Sequence, residues 1–348
     1  MARLPLVQAD PEDAREWLTP AEVREAFRMQ PRLIRPDCAS LRWTVFSTVV
    51  PGAFFMRWLL PRAAAPGQAL AESWSCAVCA LWALGALLGF ATAACLNPGV
   101  VPRLPASGPA AAAAPPPKYV TANGVIIRQR WCSSCQIYRP LRSKHCSYCD
   151  RCVFRFDHHC TWLGNCVGLG NYRSFLVLVA TASLFFGHSM AITFRVLLRD
   201  LREGAVASDA VQGLLRRIFV SNAGKTLYLA YSLVLLRRIF VPNAGKALYL
   251  AYSLVMFLAF MVLLLYHAII IACNLTTNEH VRDYYLTRNP FDVACPDNYR
   301  QVLCAPYGRP IRIGLDTSVP EKAGAAGPAA GGGNGHPSAP AKEPGGEP

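Results

Sequence analysis

At 348 residues the chain is long enough for two soluble domains, yet only 16% of it is charged, against about 25% in an ordinary globular chain. Its apolar residues gather into long blocks, which argues against one water-soluble core and for the lipid bilayer as solvent. The net charge of +14 then reads as basic surface facing anionic headgroups, and no nucleic-acid partner is expected.

The first 42 residues are polar, with Asp10, Glu12, Asp13 and Glu16 near the start, and show no signal-peptide pattern. Within them Thr19-Pro20-Ala21-Glu22 predicts a short surface helix opened by a capping box. Four transmembrane helices are predicted. Residues 43–60 form the least regular span, interrupted by Pro51 and Arg57, whose side chain can snorkel to the headgroups. Residues 74–96 are uncharged, residues 174–198 are broken only by His188 and Arg195, and residues 247–272 are apolar throughout. His188 and His267 inside these spans are read as packed neutral histidines, and Cys76, Cys79 and Cys95 as small packing residues.

Four spans place both termini and residues 97–173 on one side. Lysine and arginine number seven through Arg42, ten across residues 97–173 and seven after Asn274, while the loop joining the first two spans holds only Arg62. The positive-inside rule puts the basic segments in the cytosol. Residues 202–246 disagree, with seven basic residues of their own. There residues 214–234 recur as 235–255, differing only at Ser221/Pro242 and Thr226/Ala247. The first copy offers 11 residues between charges (226–236), too short to cross. Residues 199–246 are therefore predicted to be a luminal loop expanded by the duplication. Residues 97–130 form a cytosolic linker, Pro/Ala-rich over 101–117, and the Gly/Ala/Pro-rich tail 318–348 lacks the apolar residues to fold.

Seven of 14 cysteines and three of seven histidines lie between Cys132 and Cys166. A disulfide framework would not recruit histidine. The pattern is Cys132-x2-Cys135-x9-His145-Cys146-x2-Cys149-x2-Cys152-x4-Asp157-His158-His159-Cys160-x5-Cys166. Thiolate and imidazole suit tetrahedral zinc, and two such ions would use eight of the ten candidate ligands. One cysteine and one histidine are left over, and a spare cysteine in a metal-organised segment is a candidate nucleophile. Neighbouring side chains point in different directions, so one of His158 and His159 can ligate while the other faces a thiol, with Asp157 fixing its tautomer. Spacing alone does not choose the spare cysteine.

This segment resembles the cysteine-rich domain of the DHHC family of protein S-acyltransferases (palmitoyltransferases). Asn171-x3-Phe175, Thr276-Thr277-Asn278-Glu279, Asn289-Pro290-Phe291-Asp292 and Asn298-Tyr299 also fit the family pattern, and the likeness covers roughly residues 40–305. It implies an α-helical integral membrane protein with four transmembrane helices and a cytosolic two-zinc domain (131–173) between the second and third, resident in Golgi or ER. One zinc would take Cys132, Cys135, His145 and Cys152, the other Cys146, Cys149, His159 and Cys166. Cys160 would carry the acyl group, with His158 as base, Asp157 as its orienting group and Thr277 approaching Asp157 from the segment 273–317. Acyl-CoA would donate a long chain, housed between the spans, and membrane-associated proteins with juxtamembrane cysteines would receive it. Arg139, Arg142, Lys144, Arg151 and Arg155 are candidates either for CoA phosphates or for a headgroup-facing surface. Cys38, Cys273, Cys295 and Cys304 are candidates for acylation themselves. Two positions depart from the family: Asn97 stands where aspartate is usual, expected to weaken a local hydrogen bond, and Thr161 replaces proline, expected to loosen the turn after Cys160. A zinc-structured adaptor or cross-brace ligase would account for the ligands but not for the Asp-His-His-Cys tetrad.

Overall fold

The computed structural model describes residues 31–60, 69–103, 118–122, 125–218, 222–285 and 288–304. The helix predicted around Thr19, the loop with Arg62, most of the 101–117 linker and the 318–348 tail lie outside these residues. The helices are α1 (Cys38–Phe54), which passes into a π-helical turn (Phe55–Leu59), α2 (Ala69–Cys95), α3 (Tyr172–Ile218), α4 (Asn222–Ala272), and the short α5 (Thr277–Val281) and α6 (Cys295–Leu303). Between α2 and α3 the chain makes four two-stranded antiparallel hairpins: β1 (Lys118–Ala122) with β2 (Val125–Gln129), β3 (Trp131–Cys132) with β4 (Ile137–Tyr138), β5 (Lys144–Cys146) with β6 (Arg151–Val153), and β7 (His158–Cys160) with β8 (Asn165–Val167).

Among the described residues, three stretches are long and apolar enough to cross a membrane: Trp74–Cys95, Tyr172–Glu203 and Asn243–Ala272, with mean hydropathies of 2.0, 1.9 and 2.7. The predicted span 43–60 is not among them. Residues 43–60 are helical, but α1 has 17 residues with Pro51 inside and gives way to a π turn carrying Arg57, short of the ~20 residues a regular span needs. Proline has no N–H to give, so the carbonyl four residues before it, that of Ser47, loses its helical partner. Tyr252 on α4 supplies the replacement, its hydroxyl donating to Ser47 O at 2.7 Å. Phe55 then packs fully buried, stacked on Tyr249 at 5.2 Å and edge-on to Phe185 at 6.0 Å. The α2–α3 contact is close because α2 presents glycine: a Cβ on Gly89 would lie 2.7 Å from the backbone nitrogen of Leu178, and one on Gly85 2.9 Å from Thr181. Small residues of this kind let helices approach where lipid supplies no hydrophobic drive.

Residues 199–246 are helical wherever they are described, and those between Glu203 and Asn243 belong to none of the three apolar stretches. α3 runs on to Ile218 and α4 starts at Asn222, so the duplicated sequence lies in two long antiparallel helices. The repeat is rich in Leu, Ala, Arg and Lys, which favour helix whether or not the segment is long enough to enter a bilayer. Lys246, buried at the second copy, bonds Asp200 on α3 and Asn243 Oδ1 (2.6 Å). His188 bonds Ser75 at 2.9 Å, and Cys79 packs in the core with Cys76 beside it.

Because Tyr252 answers a vacancy created by Pro51, the two should be energetically coupled. Tyr252→Phe is expected to cost about 1 kcal/mol in the native background and clearly less in Pro51→Ala, where the backbone bond returns. A double-mutant cycle on thermal unfolding in detergent measures this; additive losses would show that the hydroxyl does not serve that carbonyl.

Candidate active site and metal centres

The hairpins assemble the predicted ligands in a repeated way. Each Cys-x2-Cys turn ends on a residue forced to positive φ, Gln136 (54°) after Cys135 and Asp150 (48°) after Cys149. Non-glycine residues pay about 1–2 kcal/mol for that conformation, which brings both thiols of the turn to one point. A cross-strand pair from the following hairpin completes each group: His145 opposite Cys152 in β5–β6, and His159 opposite Cys166 in β7–β8. Thus Cys132, Cys135, His145 and Cys152 form one cluster and Cys146, Cys149, His159 and Cys166 the other, with all ligand atoms of each within 4.8 Å. His145 Nδ1 lies 3.5, 3.5 and 3.9 Å from the sulfurs of Cys132, Cys135 and Cys152. His159 Nδ1 lies 3.6, 3.4 and 3.6 Å from those of Cys146, Cys149 and Cys166. A tetrahedron with zinc–ligand bonds of ~2.3 Å to sulfur and ~2.0–2.1 Å to nitrogen has N–S edges of ~3.6 Å. Both groups fit such an ion. Tyr148 stacks on the His159 ring at 4.8 Å and braces it from outside.

Strand alternation separates the remaining groups. On β7 residues two apart share a face, so His158 and Cys160 lie together while His159 turns to its metal cluster. Cys160 packs against the cluster of Ala93, Leu163, Phe175 and Ile271, at the end of the helical bundle. His158 Nδ1 donates to Asp157 Oδ2 at 2.7 Å. The same oxygen accepts from Thr277 Oγ1 at 2.7 Å, and Oδ1 accepts from the Thr277 amide at 2.9 Å. Burial alone would raise the Asp157 carboxyl, but the bond and charge of His158, with the Thr277 amide, hold it below the usual carboxylate range. Burial opposes charge on His158 too; bonds to Asp157 and Cys160 outweigh it and carry the imidazole to about 9.

Thr276-Thr277-Asn278-Glu279 is built to deliver that contact. Thr276 caps α5, its hydroxyl accepting from the Glu279 amide at 3.2 Å while Glu279 Oε2 accepts from the Thr276 amide at 2.8 Å. The cap fixes the direction of the helix and therefore of Thr277. Glu279 also takes Arg142 Nε at 2.8 Å and Nη2 at 2.7 Å. Arg142 gives its other donors to the Asn274 side chain (3.0 Å) and carbonyl (2.8 Å), above the Phe291 ring at 4.6 Å. The Glu279 carboxylate keeps this guanidinium charged against the effect of complete burial. Arg155, half-buried, reaches Asn274 Oδ1 at 3.4 Å and faces Tyr172 at 5.7 Å; desolvation and the neighbouring Arg142 bring its pKa down to about 10. Both arginines adopt positive φ (62° and 44°) that aims them inward. Of the five basic candidates, Arg155 is engaged in these inward contacts and Arg151 bonds Cys149 O at 3.0 Å. Arg139, Arg142 and Lys144 line an open groove with Arg128, Arg130, Arg282 and Tyr284.

Beyond Asn171, which the family pattern already marked, several neighbours of the site escaped the sequence reading. Asn165 donates to the carbonyls of Ala94 (2.9 Å) and Leu96 (3.1 Å), and Asn171 to Ala93 O (2.8 Å) and Cys166 O (2.9 Å), tying β8 to the end of α2. Asn274, at positive φ just past α4, carried only the signal of an asparagine at a helix C-terminus. His267, read as packing, lies 6.3 Å from the His158 ring. The two departures are accommodated. Asn97 Oδ1 accepts from the amides of Gly99 and Val100, each at 2.9 Å, and its side-chain amide donates to Pro31 O at 3.2 Å. After Thr161 the turn is braced by the N-terminal arm instead: Gly164, at φ 59°, accepts from the Asp37 amide at 2.8 Å. Cys273, Cys295 and Cys304 are exposed; the side chain of Cys38 lies outside the described set.

Glu279→Ala would strand Arg142 without its buried counter-charge. A loss of about 3–5 kcal/mol is expected, read as a large fall in the unfolding midpoint, with Arg142→Met/Glu279→Leu recovering most of it.

Residues 125–284 match the protein family described as DHHC palmitoyltransferase. The chain is 30% identical over 241 residues to a Homo sapiens protein named palmitoyltransferase ZDHHC8, covering 67% of this chain and 27% of that one. It is 31% identical over 227 residues to palmitoyltransferase ZDHHC5-B of Danio rerio, covering 63% and 29%. To protein S-acyltransferase 8 of Arabidopsis thaliana it is 44% identical over 94 residues, covering 26% and 23%. The chain thus spans about a quarter of the length of the curated relatives it matches. With both cysteine–histidine clusters and the Asp157–Thr277 contact inside the matched residues, the chain carries a DHHC palmitoyltransferase domain.

Proposed function

We propose that this protein is a membrane-embedded S-acyltransferase that moves a long-chain acyl group, palmitoyl by the likeness to its relatives, from acyl-CoA to cysteines of membrane-associated proteins through Cys160. The observation that carries the reading is His158 and Cys160 on one face of β7, spare of both cysteine–histidine clusters, with Asp157 bonded to His158 and Cys160 packed at the ends of apolar helices. A free thiol near pKa 8.5 is little ionised at neutral pH. His158, backed by Asp157, holds the proton that Cys160 gives up. The thiolate attacks the thioester carbonyl of the donor, the bond to the CoA sulfur breaks, and CoA leaves as a thiol with the proton from His158. A substrate cysteine then returns a proton to His158 and attacks the acyl-Cys160 carbonyl, and Cys160 departs as thiolate. One thioester replaces another at each step, so neither is strongly uphill.

Zinc at the two Cys3His clusters would supply rigidity to the hairpins rather than chemistry. The groove with Arg128, Arg130, Arg139, Lys144 and Arg282 suits the CoA phosphates. The alkyl chain would lie among the helices, where such a group is at home. In the same reading residues 43–60 serve as a fourth crossing despite the π turn, Arg57 snorkels, and the cysteine-rich domain faces the cytosol of an ER or Golgi membrane.

Purified protein incubated with alkyne-tagged palmitoyl-CoA is expected to take a hydroxylamine-sensitive label that Cys160→Ser abolishes; an unlabelled wild type, or equal label on the serine variant, sinks the proposal. Asp157→Asn should slow labelling by about 10²–10⁴-fold with the zinc content unchanged, as measured by metal analysis of the same preparation.

A further inference from the structure

His267 is fully buried on α4, in a stretch apolar enough to cross a membrane. An imidazole there is unfavourable unless bonded, and its Nδ1 bonds the Tyr172 hydroxyl at 2.9 Å. Tyr172 and Phe175 are three residues apart on α3 and share a face. His267 touches both: it bonds the first and packs edge-to-face on the second, ring centroids 5.0 Å apart at 70°. Phe175 meets His158 in the same way on its other side, at 5.4 Å and 73°. The His158 and His267 rings are 6.3 Å apart, so the three rings close a triangle, each separation within aromatic contact range.

Asp157 holds His158 at Nδ1 alone. A single hydrogen bond fixes one point of a ring and leaves it free to tilt about that point, which would carry the opposite nitrogen away from Cys160. A packed surface removes the freedom, and Phe175 provides one only if something stands behind it. We propose that His267 is a positioning residue for His158: its bond to Tyr172 locks its own ring, which fixes Phe175 and through it the tilt that aims His158 at Cys160. The catalytic consequence rests on the S-acyltransferase reading; the packing does not.

The test uses the full-length, zinc-loaded chain in detergent carrying His267→Ala, His267→Phe, Tyr172→Phe, or Tyr172→Phe with His267→Phe. Two rates are measured, Cys160 acylation by palmitoyl-CoA and alkylation of Cys160 by iodoacetamide, the second followed on its own peptide by mass spectrometry and independent of any acyl donor. His267→Ala is expected to lower kcat about tenfold or more with KM for palmitoyl-CoA unchanged, and to slow the alkylation. His267→Phe keeps a ring and loses only the bond, so it should match Tyr172→Phe at about a three- to fivefold loss, with the double variant no worse than either. That equality is measurable even if the alanine variant fails to fold. A His267→Ala enzyme with near-native kcat and alkylation, additive losses in the double variant, or a raised KM at constant kcat would overturn the proposal. If wild type takes no acyl group yet His267→Ala still slows alkylation, the positioning role stands and the transferase reading falls.

Discussion

Arg142 and Glu279 lie 137 residues apart in sequence and meet as a buried ion pair, with 4% of each side chain exposed. Neither charge is tolerable there alone, so the pair forms only when the cysteine-rich hairpins dock on the segment leaving α4. Everything nearer Cys160 follows from that docking. Glu279 closes the cap on α5, the cap directs Thr277, Thr277 holds Asp157, and Asp157 holds His158. A charge pair remote from the thiol thereby sets the geometry of the groups that touch it.

A second constraint comes from the ends of the apolar helices. The last carbonyls of a helix have no partner within it, and water is scarce where a helix leaves a bilayer. Asparagine amides answer them: Asn165 and Asn171 at the end of α2, and Asn298 at Ala272 O (2.7 Å) at the end of α4, with the Tyr299 hydroxyl on Ala268 O at 2.8 Å. Tyr252 does the same for the carbonyl that Pro51 leaves bare. The site is thus fastened to the bundle by backbone satisfaction as much as by apolar packing. Such bonds have direction, which packing alone lacks.

The two cysteine–histidine clusters show a third economy. Each uses a Cys-x2-Cys turn and a cross-strand His/Cys pair, and one strand serves both, His145 of the first and Cys146 of the second being adjacent on β5. The clusters are interleaved, so β7 cannot shift without disturbing the ligands of both hairpins. That rigidity is what leaves Cys160 in a defined place while its neighbour His159 turns away.

The ligand inventory, the apolar spans and the Thr-Thr-x-Glu segment were legible in the chain because each is local: coordination chemistry, bilayer thickness and capping all act over a few residues. Ligand counting established that one cysteine and one histidine were spare, and the family likeness assigned them; the strand period explains why His158 faces Cys160. Arginine reads alike in sequence whether it meets solvent or a buried carboxylate, so Arg142 and Arg155 were placed outside. The helical form of the tandem repeat was not legible, because failure to span a membrane says nothing for or against helix. His267 looked like filling because its partners, Tyr172 and Phe175, belong to another helix. Composition and spacing by themselves determined the chemistry this protein carries. Which residues bring that chemistry to one point was decided by contacts more than a hundred residues apart in the chain, where buried charge and unpaired backbone groups admit few arrangements.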